Sequence, residues 1–239
     1  MSRDEDMGME DLRQELLRSE LETLYHVSQV LSRSLNLKAT LTELMRVLDE
    51  GVGLEKGMVS LVEPDTGALL VNAVHGMGAL LAEDVRYHPG EGVVGMIMEE
   101  GEQVVVPCIA DEPRFLDRLG IYDKKLPLVG VPIRLARQVV GVLVAQPMAG
   151  ADALLGEYAH FMEMVANLIG QSVRLARDVE REKQVLTEER DTLRRTVRGQ
   201  YGFDNIIGHT QAMRRVFDQA RQVAKWNTTV LIRGETGTG

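Results

Sequence analysis

From Ala151 to about Arg198 the chain keeps a single helical period. Phe161, Val165, Leu168, Leu175, Val179, Leu186 and Leu193 recur on a seven-residue rhythm, interrupted by the polar Ser172, Glu182 and Glu189. A helix of that length spans more than about 60 Å at its fixed rise per residue. No core built from the rest of this chain covers such a rod. Its later half, "DVEREKQVLTEERDTLRRTVRG", is mostly charged, so it must project or pair. It reads either as a parallel coiled coil with a second copy or as a solvated single helix laced with ion pairs.

A second seam lies near the other end. Residues 1–16 are an acidic lead expected to be disordered, and a helix is predicted from about Met9 to Leu35. Leu17, Leu21, Leu24, Leu31 and Leu35 fall on alternating four- and three-residue steps, with Ser28 as the polar member. A further helix follows in "LNLKATLTELMRVLDEGVG", where Leu41, Leu44, Met45 and Leu48 share a face and Gly51 and Gly53 end it.

Between the seams the period turns extended. "KGMVSLVEP" and "GALLVNAVHG" predict two strands joined by a Pro- and Gly-bearing turn. "MGALLAEDV" predicts a short helix. "YHPGEGVVGMIMEEGEQVVVP" reads as loop, helix, glycine turn and strand, with Val93, Val94, Ile97 and Met98 inward and Gly101 as the stop. "ADEPRFLDRLG" is turn-rich, a loop with a short helix. "LPLVGVPIRLARQVVGVLVAQP" predicts two strands around a tight connection near Ala136, with Val140, Val142 and Val144 on one face. The fold class is α+β: an antiparallel sheet flanked by helices.

Composition narrows the function. Hydrophobic residues make up 44% and charged residues 26%, a globular balance. The net charge of −9 lacks the basic footprint of a nucleic-acid reader. No apolar run reaches membrane-span length, and the acidic start has no signal core, so a cytoplasmic location is expected. Cys108 is the single cysteine, which excludes an intrachain disulfide and thiolate-rich metal sites within one chain. No metal is expected. His75, His88, Glu91 and Asp111 lie on separate elements without ligand spacing. Cys108 could be a redox sensor or a tetrapyrrole attachment point, but Ile109 stands where a tetrapyrrole-binding cysteine would have a histidine after it, and a buried, inert thiol is expected.

The stretch Pro89-Gly90-Glu91-Gly92-Val93-Val94-Gly95, with the "MIMEEGEQVVVP", "DEPRF" and "GVPI…VVGVLVAQ" segments, resembles GAF domains. The resemblance covers residues 17–177, with 178–200 as a signalling helix. It implies a five- or six-stranded antiparallel sheet, a small-ligand or partner-sensing role, and homodimers through the terminal helices. The last segment, 201–239, resembles the start of the AAA+ domain of sigma-54-dependent activators. Ile206, Ile207 and Gly208 match the stretch beside the adenine, and "TTVLIRGETGTG" matches the first strand and phosphate loop. That loop frame consists of Gly234, Glu235, Thr236, Gly237, Thr238 and Gly239. Its glycines let backbone N–H groups close around phosphates, and a lysine should follow. The lysine position would be residue 240, so this stretch is expected to be an incomplete site and the chain alone not an enzyme. ATP turnover by the purified chain would contradict this.

The arrangement is similar to the NifA group of nitrogen-fixation activators, with those for the vanadium and iron-only nitrogenases as close alternatives. Activators answering nitric oxide or formate, and a purely dimerising or docking GAF module, stay open. The resemblance implies ATP and Mg in the whole protein and RNA polymerase carrying sigma-54 and DNA as its partners. It also implies 2-oxoglutarate, or a NifL-like or PII regulatory protein, as effector. Arg86, Tyr87, His88, Arg114 and Arg134 flank the implied pocket, where a guanidinium fork would suit a carboxylate. The same arginines also read as ordinary surface charges.

Overall fold

The computed structural model describes residues 3–34, 36–76, 85–201 and 210–235. It divides into two units, Met1–Val179 and Glu180–Gly239.

The first unit opens with two helices, α1 (Arg3–Arg33) and α2 (Leu37–Val52). The lead expected to be disordered is helical from Arg3 onward. The Asn36 side chain caps α2 by accepting from the Ala39 N–H at 3.2 Å, and Gly53 ends it in the left-handed conformation.

Six strands follow: β1 (Leu54–Val62), β2 (Leu69–His75), β3 (Arg86–Tyr87), β4 (Val104–Val106), β5 (Leu128–Leu135) and β6 (Gln138–Pro147). Helix α3 (Gly92–Glu100) lies between β3 and β4. The strands pair antiparallel in the order β3-β2-β1-β6-β5-β4. The two-residue β3 stands where the sequence suggested only a loop, because its pairing with Leu69 and Leu70 is non-local. The helix predicted in "MGALLAEDV" lies outside the described residues, except Val85.

Two apolar layers sandwich the sheet. On one face Leu41, Leu44, Met45 and Leu48 of α2 meet Val129, Val131 and Ile133, together with Phe161, Val165 and Ile169 of α4 (Leu155–Tyr201). On the other face Val93, Val94 and Ile97 of α3 meet Met58, Val142 and Val144. Val140 departs from its expected face and joins the α2 side. Ile133 pairs with Gly141 and Arg134 with Val139, so Val140 is the extra residue of a bulge, which turns it over.

Ala136 opens the two-residue β5–β6 turn with φ +55°, a conformation that favours glycine. Ala136→Gly is therefore expected to raise stability by about 0.5–1 kcal/mol, read from urea unfolding.

Both leucine seams are largely exposed. On α1 the buried row is Leu16, Glu20, Thr23 and Val27, while Leu17 and Leu21 face out, Leu21 being 70% exposed. Leu24 and Leu31 are partly buried against the core, and Leu35 lies outside the described residues. On α4, Phe161 and Val165 are buried, whereas Leu175, Val179, Leu186 and Leu193 are exposed.

The second unit contains α5 (Gln211–Val223), capped by the Thr210 hydroxyl accepting from the Met213 N–H at 3.3 Å. The strand expected in "TTVLIRG" does not form, and Leu231 and Ile232 are exposed. A central parallel strand is held by flanking strands and covering helices, and none pairs with it among the described residues.

Candidate ligand site

The far face of the sheet is organised by the turn before α3. Gly92 takes φ +63°, which brings the chain from β3 into the helix. Gly95 packs its backbone so tightly that an added Cβ would run into the His88 carbonyl and stand 3.2 Å from Gly90 backbone atoms. The Gly90 N–H donates to the Gly95 carbonyl at 2.9 Å, and the Glu91 N–H to the His88 carbonyl at 3.0 Å. The Glu91 carboxylate returns the link by accepting from the His88 N–H at 2.9 Å.

Arg118 closes this corner. Its guanidinium donates to the Glu91 carboxylate and to the Arg86 carbonyl, and it lies 5.0 Å from the ring centroid of Tyr87. The His88 N–H, followed by the Arg118 guanidinium, holds the Glu91 carboxyl below its usual range. This link is present above the ordinary carboxylate range and is lost as pH falls through the depressed value. Tyr87 is buried, and burial, opposed by Arg118, pushes its phenol up to about 12.

In the same apolar cluster as Tyr87, Phe115 and Tyr122 meet edge to face at 5.6 Å. The Tyr122 hydroxyl is buried with no hydrogen-bond partner among the described residues. Burial also pushes its phenol well above its ordinary range. The segment carrying it is pinned by Gln146 of β6, which accepts from the Asp123 N–H at 2.9 Å and donates to the Asp123 carbonyl at 2.8 Å. An orphaned buried hydroxyl contributes nothing to stability by hydrogen bonding. Tyr122→Phe is expected to leave the apo protein as stable or up to about 1 kcal/mol more so in urea unfolding.

Of the residues chosen from sequence, only Tyr87 stands at the centre of this corner. Arg86 faces Glu63 at 3.8 Å. His88 contributes backbone groups, and its residue is exposed. Arg114 forks onto Glu112 at 2.7 and 2.9 Å and reaches the Met96 Sδ at 3.0 Å, and its hydrogen bonds hold the Glu112 carboxyl at about 2. Arg134 donates to the Gly101 carbonyl at the end of α3. Arg118 and Tyr122 were not singled out. Arg118 lay in the stretch read as a loop with a short helix, which is a three-residue 3-10 turn, Ile109–Asp111, followed by irregular chain.

The other candidates are dispersed. His75 pairs with Asp49 at 2.8 Å, and among the described residues no group of three His, Cys, Asp or Glu could hold a metal. Cys108 is half-buried, its Sγ 3.6 Å from the Lys124 carbonyl. Gly234 and Glu235 are exposed, while Ile206, Ile207, Gly208, Thr236, Gly237, Thr238 and Gly239 lie outside the described residues. No helix among the described residues is long and apolar enough to cross a membrane.

Comparison with known proteins fits this geometry. The GAF domain family matches residues 36–173, and the Sigma-54 interaction domain matches residues 206–239. The Nif-specific regulatory protein of Azotobacter vinelandii is 45% identical over 94% of this chain and 44% of its own length. That of Enterobacter agglomerans is 43% identical over 93% of this chain and 43% of its own length. The chain thus spans under half of these relatives, and the resemblance to NifA-type activators read from the sequence is borne out. A GAF domain from A. aeolicus, solved in an inactive state, superposes with a TM-score of 0.61 at 23% identity, over 67% of this chain and 98% of that one. The sheet order, the two-layer core and the matched residues agree: the chain belongs to the GAF domain family.

Proposed function

We propose that this chain is the sensory portion of a sigma-54-dependent activator of nitrogen-fixation genes, in which the GAF domain controls an adjoining ATPase. The observation that carries the reading is colinearity. One chain joins a GAF domain at 36–173 to a sigma-54 interaction domain from 206, and it is similar along nearly all its length to Nif-specific regulatory proteins. In the whole protein, ATP and Mg drive remodelling of RNA polymerase carrying sigma-54 at its DNA, in the cytoplasm. A nitrogenase-promoter reporter tests this: the whole protein should activate it only in cells that have sigma-54. Activation without sigma-54 overturns the reading.

The effector proposed is 2-oxoglutarate, bound on the far face of the sheet. The unpartnered Tyr122 hydroxyl offers a ready donor, and a carboxylate would take the place of Glu91 on Arg118. The Arg114 and Arg134 guanidiniums go to Glu112 and the Gly101 carbonyl rather than to Glu91, so alanine at either is expected to leave the response unchanged. A NifL-like or PII protein is the alternative input.

A homodimer through the terminal helices belongs to the same reading. Leu17 and Leu21 of α1, and Leu175 and Leu186 of α4, are large apolar side chains in water at coiled-coil spacing. Leu21→Glu with Leu186→Glu is expected to give a folded monomer in sedimentation equilibrium. A dimer of unchanged affinity removes these seams from the interface.

A further inference from the structure

An amphipathic helix packed on a domain should turn its apolar stripe inward. Helix α1 does otherwise at its centre. Glu20, 5% exposed, and Thr23 are buried, and Leu21, one position on, stands in water. The docked register is sterically specific all the same. Gly51 of α2 passes so close that a Cβ there would strike the Thr23 side chain. So α1 is seated by close backbone approach while holding an acid inside.

Among the described residues Glu20 has no ion-pair partner, and its Oε1 is buried without a hydrogen bond. Desolvation raises its carboxyl, the nearby His160 of α4 opposes this, and Glu157 of α4 adds to it. Arg13 of α1 is bonded to Glu157, at 3.1 Å. Tyr158 of α4 donates its hydroxyl to the Val52 carbonyl at 3.1 Å, and the charge of Glu20 helps raise that phenol. On the α2 side, Glu43 and Glu50 are both bonded to Arg46, and they face Glu22, His26 and Arg33 of α1 across a polar groove. His160 is the one group in this set that favours the charged form of Glu20, and none of them hydrogen-bonds its Oε1.

We propose that α1 is a detachable strap whose hold on α2 and α4 is set by the charge on Glu20. With the carboxyl protonated, the buried row Leu16–Glu20–Thr23–Val27 is neutral and the strap stays down. With it ionised, an unpaired charge sits in the interface, and release of α1 returns it to water. The sign follows from the raised carboxyl. Docking is fullest in acid and weakens as pH rises through the folded-state value. A neighbouring protein or cation that compensated Glu20 would fasten the strap at neutral pH. The inference does not depend on the identity of the effector.

Hydrogen exchange on the full chain tests it, with rates corrected for the intrinsic pH dependence. Protection of residues 12–28, relative to the β5–β6 core, is expected to fall between about pH 5 and about pH 8. Glu20→Gln is expected to abolish that fall. Glu20→Leu is expected to raise α1 protection at the higher pH by at least about fivefold. His160→Ala should keep the pH dependence, which assigns it to the carboxyl. Protection that is equal at both pH values, a pH dependence that survives in Glu20→Gln, its loss in His160→Ala, or weaker α1 protection in Glu20→Leu would each overturn the proposal.

Discussion

Gly95→Ala is expected to destabilise the first unit by about 3 kcal/mol, lowering Tm by roughly 6–12 °C for a domain of this size. The residue lies in the first turn of α3, and the added methyl points at the His88 carbonyl, with Gly90 backbone behind it. Neither neighbour can yield as a side-chain tip can, because both belong to the turn that hydrogen-bonds back onto Gly95 itself. Relief requires α3 to slide away from the turn, which separates Val93, Val94 and Ile97 from the sheet. It also moves Glu91, and with it Arg118 and the Tyr87 contact. The variant should therefore lose ligand response as well as stability. A Tm within about 2 °C of the parent contradicts the close packing.

Phe161→Ala is expected to cost about 3–5 kcal/mol in urea or thermal unfolding. Phe161 is fully buried where α4 lies on the sheet, in one cluster with Leu41, Val131 and Val165. Removing the ring leaves a cavity that α4 cannot close, since Gly170 already sits against the Arg134 backbone. In contrast to Gly95→Ala, this change lies on the face of the sheet covered by α2 and α4. Ligand affinity of the remaining folded protein should be preserved. A loss below about 1 kcal/mol would mean that the site collapses and the helix packs loosely.

These two positions also mark what could be read from the chain. The apolar face of α2, the strands β1, β2, β5 and β6, and the Pro89–Gly95 turn follow from local period and glycine placement. The fold class and the antiparallel sheet rest on those signals. The face taken by Val140 did not follow, because a one-residue bulge is decided by the partner strand. The face that α1 packs on the domain lies one position from its leucine seam, because leucine periodicity records an apolar stripe without naming its partner. The buried stripe carries Glu20 and Thr23, which no hydropathy pattern would select.

The ligand corner was the least legible part. Arginines flanking the motif drew attention by charge, yet Arg86, Arg114 and Arg134 are each engaged with a nearby acceptor. Arg118 comes to the corner through a non-local contact, 27 residues from Glu91 and 32 from Arg86. Tyr122 is distinguished by a buried hydroxyl that has no hydrogen-bond partner among the described residues. Satisfaction of a polar group is a property of three-dimensional packing, so sequence spacing is silent about it.

Calorimetric titration of the chain and of Tyr122→Phe with 2-oxoglutarate tests the sensory reading most directly. The expected result is saturable binding to the parent, weakened about tenfold by removal of the single hydroxyl and lost in Arg118→Ala. Absence of saturable heat at several temperatures, or binding that Tyr122→Phe and Arg118→Ala leave unchanged, would contradict a 2-oxoglutarate site at this corner.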